Sequence, residues 1–303
     1  MKESTKIMMK KHGWRYDRFI HNYIYFKFYY PYVKSVYYLF KLLSNYLFWF
    51  KPLNGVLSMA FSRYHAKVLS FGDTKKIFTL HENIAAVSPE NKKIVPYKYA
   101  YKILFMEPEH IAVMDCPCKI TLGDKSENIN SCLAVGKGLS SFWLEHGAKK
   151  YHARKISQKD ALDLINRFRQ MGYLTQAFFK VATGGSTGVI CNCHPDTCVS
   201  LQATKFAKRF SNKFNMNASS GYVVEVNKNK CKYHGNCAEV CPAGAIKVDR
   251  VNKIFTYDKD ACLGCELCVE HCPEKALGIR RDATKNVPLD IDIVKNEFVD
   301  SKN

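Results

Sequence analysis

The 303-residue sequence predicts an α+β protein in several parts. Residues 1–60 read as a helical arm rich in aromatic and basic residues, and 61–211 as a middle α+β domain carrying a cysteine set. Residues 222–281 read as a C-terminal domain with a pseudo-twofold repeat, followed by a tail at 282–303. Three observations predict this. Residues 231–246 recur at 262–277 with a constant offset of 31. The 13 cysteines fall into C-x-C and C-x2-C groups. The positive charge is uneven: residues 1–102 hold 18 Lys and Arg against 5 Asp and Glu, and the rest hold 28 against 22.

Ordinary apolar content, 47%, excludes a disordered chain, and the length allows two domains. No N-terminal stretch has the charged, apolar and small-residue layout of a secretory signal, so a cytoplasmic setting is expected. There, grouped cysteines read as metal ligands rather than disulfides.

In the arm, "WRYDRFIHNYIYFKFYYPYVKSVYYLFKLLSNYLFWF" (14–50) is dominated by Tyr and Phe, with Lys27, Lys34 and Lys41 recurring. Tyr and Trp favour a membrane interface, and lysine stems reach headgroups from the apolar layer. The reading is a pair of interfacial helices broken near Pro31, lying on an anionic membrane surface. A helical arm packed on its own domain or on a partner subunit is the alternative. Lys41 interrupts the segment 35–50, which falls short of the roughly 20 apolar residues of a span. Nucleic acid is disfavoured, because no recognition motif accompanies the charge.

In the middle domain, "KKIFTLHENIAAV" and "KILFMEPEHIAVMD" read as short strands and turns. His81, His110, His146 and His152 have no paired spacing and read as ordinary histidines. "SQKDALDLINRFRQMG" (157–172) is a helix: Ser157 caps it, Asp160 follows three residues on, and Ala161, Leu164, Ile165, Phe168 and Met171 share a face. Gly172 stops it, and "YLTQAFFKV" reads as a strand. "ATGGSTG" (182–188) lacks the Lys-Ser/Thr ending of a phosphate loop and reads as a turn. Residues 201–213 read as a basic helix, and polar "NKFNMNASSG" (212–221) as a domain boundary.

Six cysteines belong to this part: Cys116 and Cys118 in "DCPCK", Cys132, and Cys191, Cys193 and Cys198 in "CNCHPDTC". In extended backbone, residues i and i+2 face the same way, so C-x-C can aim two thiolates at one metal. A shared metal or cluster site is expected, with iron–sulfur preferred to zinc, and buried free cysteines are the alternative. His194 is a further candidate ligand. The pieces "CPCK", "INRFRQMGYL" and "VICNC" resemble those of uncharacterised iron–sulfur proteins of anaerobes over roughly 110–200, a resemblance that implies no known reaction.

In the C-terminal repeat, Cys231 matches Cys262, Cys237 matches Cys268, Cys241 matches Cys272, Pro242 matches Pro273, and His234 falls on Cys265. Each copy reads as strand, cysteine loop, short helix and return strand. With Cys262, Cys265, Cys268 and Cys272 before Pro273, residues 222–281 resemble the bacterial-type two-cluster ferredoxin. The resemblance implies that the last cysteine of each run ligates the other cluster. Cluster B would then use Cys262, Cys265, Cys268 and Cys241, and cluster A would use Cys231, Cys237 and Cys272 with His234 at the remaining corner. Three states of cluster A stay open: a four-iron cluster ligated by His234, a three-iron cluster, or a four-iron cluster with one iron held by water or a partner. The expected cofactors are thus one [4Fe–4S] and one [4Fe–4S] or [3Fe–4S] cluster, with a third cluster or zinc in the middle domain.

The functional expectation is an iron–sulfur electron carrier, peripheral on the membrane, exchanging electrons with an acidic redox protein. The alternative is an oxidoreductase whose middle domain holds a substrate or cofactor fed by the ferredoxin domain. Neither G-x-G-x-x-G nor a radical-forming C-x3-C-x2-C triad is present. Clusters that only hold the fold are a third reading.

Overall fold

The structure, a computed structural model, describes residues 5–6, 9, 13, 16–61, 64–87, 93–95, 102–180, 187–210 and 215–298. Most of the turn "ATGGSTG" lies outside them. The arm forms α1 (Tyr16–Lys27), α2 (Tyr29–Tyr46) and α3 (Leu53–Phe61). The break between α1 and α2 is at Phe28, so Pro31 falls in the first turn of α2, where a missing N–H costs no helical bond. Then follow β1 (Tyr64–Val68), α4 (Phe71–Phe78), β2 (Ile84–Val87), β3 (Lys102–Phe105), β4 (Ile111–Asp115), α5 (Pro117–Leu122), β5 (Asn130–Val135) and α6 (Lys137–Tyr151). The middle domain continues with β6 (Arg154–Ile156), α7 (Gln158–Gln170), β7 (Leu174–Lys180), β8 (Val189–Cys193), α8 (Val199–Ala207) and β9 (Asn217–Ala218).

Seven strands make one sheet in the order β6-β4-β5-β8-β7-β1-β9. Every neighbouring pair is antiparallel except β1 with β9. Alternation along the strands divides the core into two layers. One face presents Ala112, Met114, Cys132, Leu174, Phe178 and Cys191, covered by Phe26, Tyr29 and Val33 of the arm and Phe142 and Trp143 of α6. The other presents Val113, Leu133, Ala177, Phe179 and Ile190, covered by Ile77 and Phe78 of α4 and Ala161 and Ile165 of α7.

The helix read at 157–172 is α7, and both arms of the Ser157–Asp160 capping box are formed. The reading of "KKIFTLHENIAAV" as strands and turns meets a difference. Residues 75–78 end α4, whose N-cap Ser70 accepts a hydrogen bond from the Asp73 N–H, and only Ile84–Val87 is a strand. The boundary segment contributes β9, paired to β1. The tail has no strong pattern in the sequence, yet Leu289, Ile291 and Val294 are buried in the second core layer, the last two on α11 (Ile291–Phe298).

The arm has two sides. Phe26, Tyr29, Val33 and Ser44 are buried against the middle domain, and Tyr151 Oη donates to the Phe26 carbonyl. Opposite them Ile20, Ile24, Phe28, Leu39, Leu42 and Trp49 are exposed. Among the described residues no helix is long and apolar enough to cross a membrane.

The C-terminal domain repeats its elements as read: β10 (Tyr222–Val226), α9 (Asn236–Glu239) and β11 (Ile246–Asp249), then β12 (Ile254–Tyr257), α10 (Leu267–Glu270) and β13 (Leu277–Arg281). β10 pairs with β13, and β11 with β12, so the first and last strands of the repeat close on each other.

Candidate iron–sulfur centres

The two cysteine runs fold over two separate cavities. One is lined by Cys231, His234, Cys237 and Cys272, the other by Cys241, Cys262, Cys265 and Cys268. Each cavity therefore takes its last cysteine from the opposite run. The prolines after Cys241 and Cys272 keep these cysteines out of a continuing helix. Backbone donors already point at sulfur: Ala245 N–H to Cys241 Sγ at 3.2 Å, Gly264 N–H to Cys262 Sγ at 3.3 Å and Ala276 N–H to Cys272 Sγ at 3.3 Å. Such donors stabilise thiolate and cluster sulfur and tune potential. Burial pushes the Cys265 thiol up to about 12, and it raises Cys268 and Cys237 as well. Iron binding must displace those protons. The thiols, their crossing and the N–H···S bonds fit two iron–sulfur clusters.

His234 lines the first cavity, with its side chain 44% exposed and Nε2 3.9 Å from Glu274 Oε1. The corresponding Cys265 is buried. His234 is thus more exposed than its counterpart, while Cys231, Cys237 and Cys272 of the same cavity are half-buried.

The middle cysteines come together on one face of the sheet. Cys132 on β5 sits opposite Cys191 on β8, with their sulfurs 3.5 Å apart. Cys193 lies two residues on, in extended backbone, as the C-x-C reading expects. The other pair departs from that expectation. Cys116 is extended, but Pro117 starts α5 and places Cys118 in its first turn. The proline ring sets a helical φ, so the pair diverges from a strand-like alignment. Cys116 is still coupled electrostatically to Cys118 and Cys132, and Cys193 to Cys198. The intervening "HPDT" closes as a turn, with the His194 carbonyl accepting from Cys198 N–H at 2.9 Å, and this returns Cys198 to Cys193. His194 packs its ring on Tyr173, centroids 5.1 Å apart. The neighbouring thiols of Cys118 and Cys132 hold Cys116 well below the usual thiol range, and that of Cys193 lowers Cys198.

Among the described residues, the group of three potential ligand atoms all within 4.8 Å of one another is Glu107, Glu109 and His110, on the surface. No three of the thiols lie that close. His152 Nδ1 pairs with Asp115 Oδ2 at 2.6 Å.

Sequence reasoning misses two basic residues beside these thiols. Lys119 is buried, with Nζ donating to the Asn128 carbonyl at 2.9 Å and lying 3.9 Å from the Phe168 ring centroid and 4.3 Å from that of Tyr173. Arg169 is 1% exposed; it pairs with Glu270 and donates through Nη2 to the Cys265 carbonyl at 2.6 Å. The one signal in the sequence is an arginine next to Phe168 on the buried side of an amphipathic helix.

The 4Fe-4S dicluster domain model matches residues 229–276. An uncharacterised ferredoxin of Methanocaldococcus jannaschii is 33% identical over 71 residues, covering 92% of its own length and 21% of this chain. The chain belongs to the ferredoxin family. Its ferredoxin domain is also similar to those of longer proteins. Pyruvate synthase subunit PorD of Methanothermobacter marburgensis is 40% identical over 57 residues, 64% of its length and 19% of this chain. Hydrogenase-2 operon protein HybA of Escherichia coli O157:H7 is 50% identical over 38 residues, and the chain spans only 12% of its length. These ferredoxin-like relatives support an electron-transfer role, and the dicluster match indicates 4Fe–4S clusters.

Proposed function

We propose that this protein carries electrons through two clusters in residues 222–281, to or from a redox protein partner. The observation that carries the reading is the pair of cavities, each lined by cysteines of both runs. Cluster B is a [4Fe–4S] cluster on Cys241, Cys262, Cys265 and Cys268. Cluster A is on Cys231, Cys237 and Cys272, with His234 as fourth ligand. Neutral imidazole in place of an anionic thiolate raises the potential of cluster A above that of cluster B. Unequal potentials let one cluster accept and the other donate. The six middle cysteines form a further metal site, either a cluster or zinc.

The partner is acidic, matching a formal net charge of +19. Exposed apolar residues of α1 and α2, together with exposed Lys27, Lys34 and Lys41, favour a peripheral seat on an anionic lipid surface in the cytoplasm. The names of two relatives refer to pyruvate synthase and hydrogenase-2, which favours a redox enzyme as the partner. The oxidoreductase alternative needs a substrate beside the middle cysteines.

The test is EPR and redox titration of anaerobically purified protein with the His234→Cys variant beside it. The expected result is four-iron signals on reduction, and a lower cluster A potential in the variant. A three-iron signal in oxidised wild-type protein would remove His234 from the ligand set.

A further inference from the structure

The six middle cysteines and the ferredoxin domain are not separate features. Cys265 and Leu267 are buried in the same core layer as Cys116, Cys132, Cys191, Cys193 and Cys198. We propose that the middle cysteines hold an iron–sulfur cluster joined to cluster B by Arg169, making the chain a three-centre relay. This rests on the two-cluster reading of residues 222–281.

Spacing argues for a cluster over a single ion. Tetrahedral zinc with Zn–S bonds of about 2.3 Å brings its sulfurs within about 3.8 Å of one another. In the middle domain no three thiols all approach within 4.8 Å, although pairs do, as Cys132 and Cys191 show at 3.5 Å. The ferredoxin cysteines share that wider spacing. Soft thiolates in such numbers suit iron and sulfide.

Charge argues for an anionic occupant. A buried ammonium is costly unless compensated. Lys119 donates a hydrogen bond to a neutral carbonyl, and its ammonium faces two aromatic rings. The neighbouring carboxylate, Asp124, is already engaged by Tyr173 Oη at 3.0 Å and Thr197 Oγ1 at 2.8 Å. A thiolate-ligated cluster beside Cys116 supplies negative charge where Lys119 needs it.

A bonded path links the centres. Arg169 Nη2 donates to the carbonyl of Cys265, and Nη1 reaches Thr175 Oγ1 at 3.4 Å. Thr175 Oγ1 in turn lies 3.5 Å from Asn192 Oδ1, and Asn192 sits between Cys191 and Cys193 on β8. One electron leaves reduced cluster B and enters the oxidised middle cluster; no bond forms or breaks and no proton moves. The redox protein partner supplies or removes that electron at the other end, through cluster A.

The test uses full-length protein purified without oxygen, as wild type and as a Cys191→Ser/Cys193→Ser variant. Iron, acid-labile sulfide and zinc are counted, and both proteins are titrated by EPR. The expected result is about four more iron and four more sulfide in the wild type, with the ferredoxin signals kept in the variant. Wild type holding about eight iron, unchanged in the variant, would keep the two-cluster reading and overturn the middle cluster. Zinc in the wild type in place of the extra iron would overturn it too. About four iron in total, lost in the variant, would retain the middle cluster and reject the other two. If the variant does not fold, the wild-type titration decides, with three one-electron steps expected and two sinking the proposal. Lys119→Met should then lower the potential of the third step at unchanged iron content.

Discussion

At the scale of single residues, ligand crossing makes the sharpest prediction. Cys241 belongs by sequence to the first run but lines the second cavity. Cys241→Ser should therefore disturb the signal of cluster B and leave that of cluster A in place. A variant that loses cluster A instead would reverse the assignment. Asp73 offers a second test. Burial, with the Asp290 charge second, raises its carboxyl to about 6, while Tyr222 Oη donates to it at 3.2 Å. Below about pH 4 the group is protonated in both folded and unfolded chains. Between about 4 and 6 the unfolded chain loses the proton first, so stability falls as pH rises. The full difference is on the order of 3 kcal/mol. Asp73→Asn should remove that slope, read as anaerobic denaturant midpoints at pH 4.5 and 7. An unchanged slope would mean that another group causes it. Buried Lys67, lowered to about 7, titrates at the upper of these pH values, so a further midpoint at pH 6 reads Asp73 apart from it.

At the scale of elements, the loop before α10 packs closely on the boundary segment and the start of β10. Gly264 has φ +66°, and a Cβ there would lie 2.2 Å from Ser220 Oγ and 2.3 Å from the Tyr222 carbonyl oxygen. Left-handed backbone and close approach both require glycine. Gly264→Ala should cost about 3 kcal/mol and release cluster B from its seat, seen as faster loss of its signal in air. A variant with wild-type stability would show that the loop shifts freely. Legibility differs from element to element for physical reasons. α7 can be read because capping and a 3.6-residue apolar stripe are local signals. The strand reading of 75–78 fails because Lys75, Lys76, Ile77 and Phe78 carry no local preference strong enough to outweigh their packing in α4. The extended reading of Cys116–Cys118 overlooks Pro117, which favours a helix start. Residues 287–294 look patternless because their apolar groups complete a core formed by strands far away in sequence.

At the scale of the whole molecule, charge and exposed aromatic area meet on the arm. One side of α1 and α2 covers the first core layer, and the other leaves Ile24, Phe28, Leu42 and Trp49 in solvent beside lysines. Flotation with anionic liposomes should carry the full chain upward, and the effect should weaken in high salt as the headgroup attraction is screened. Protein that stays at the bottom with anionic lipid present would remove the membrane from the account.

By itself the sequence determined the cluster domain and its pseudo-twofold repeat, since thiolate spacing is a local constraint written twice, and its ferredoxin resemblance implied the crossing of the ligand sets. It also marked the six middle cysteines as one group. Only the tertiary structure decided that those cysteines and Cys265 share a core layer, that Lys119 and Arg169 are buried beside them, that the boundary segment joins the middle sheet and that the tail packs in its second core layer. Buried charges and distant strands take their meaning from partners far along the chain, and no local pattern of residues announces which partners those will be.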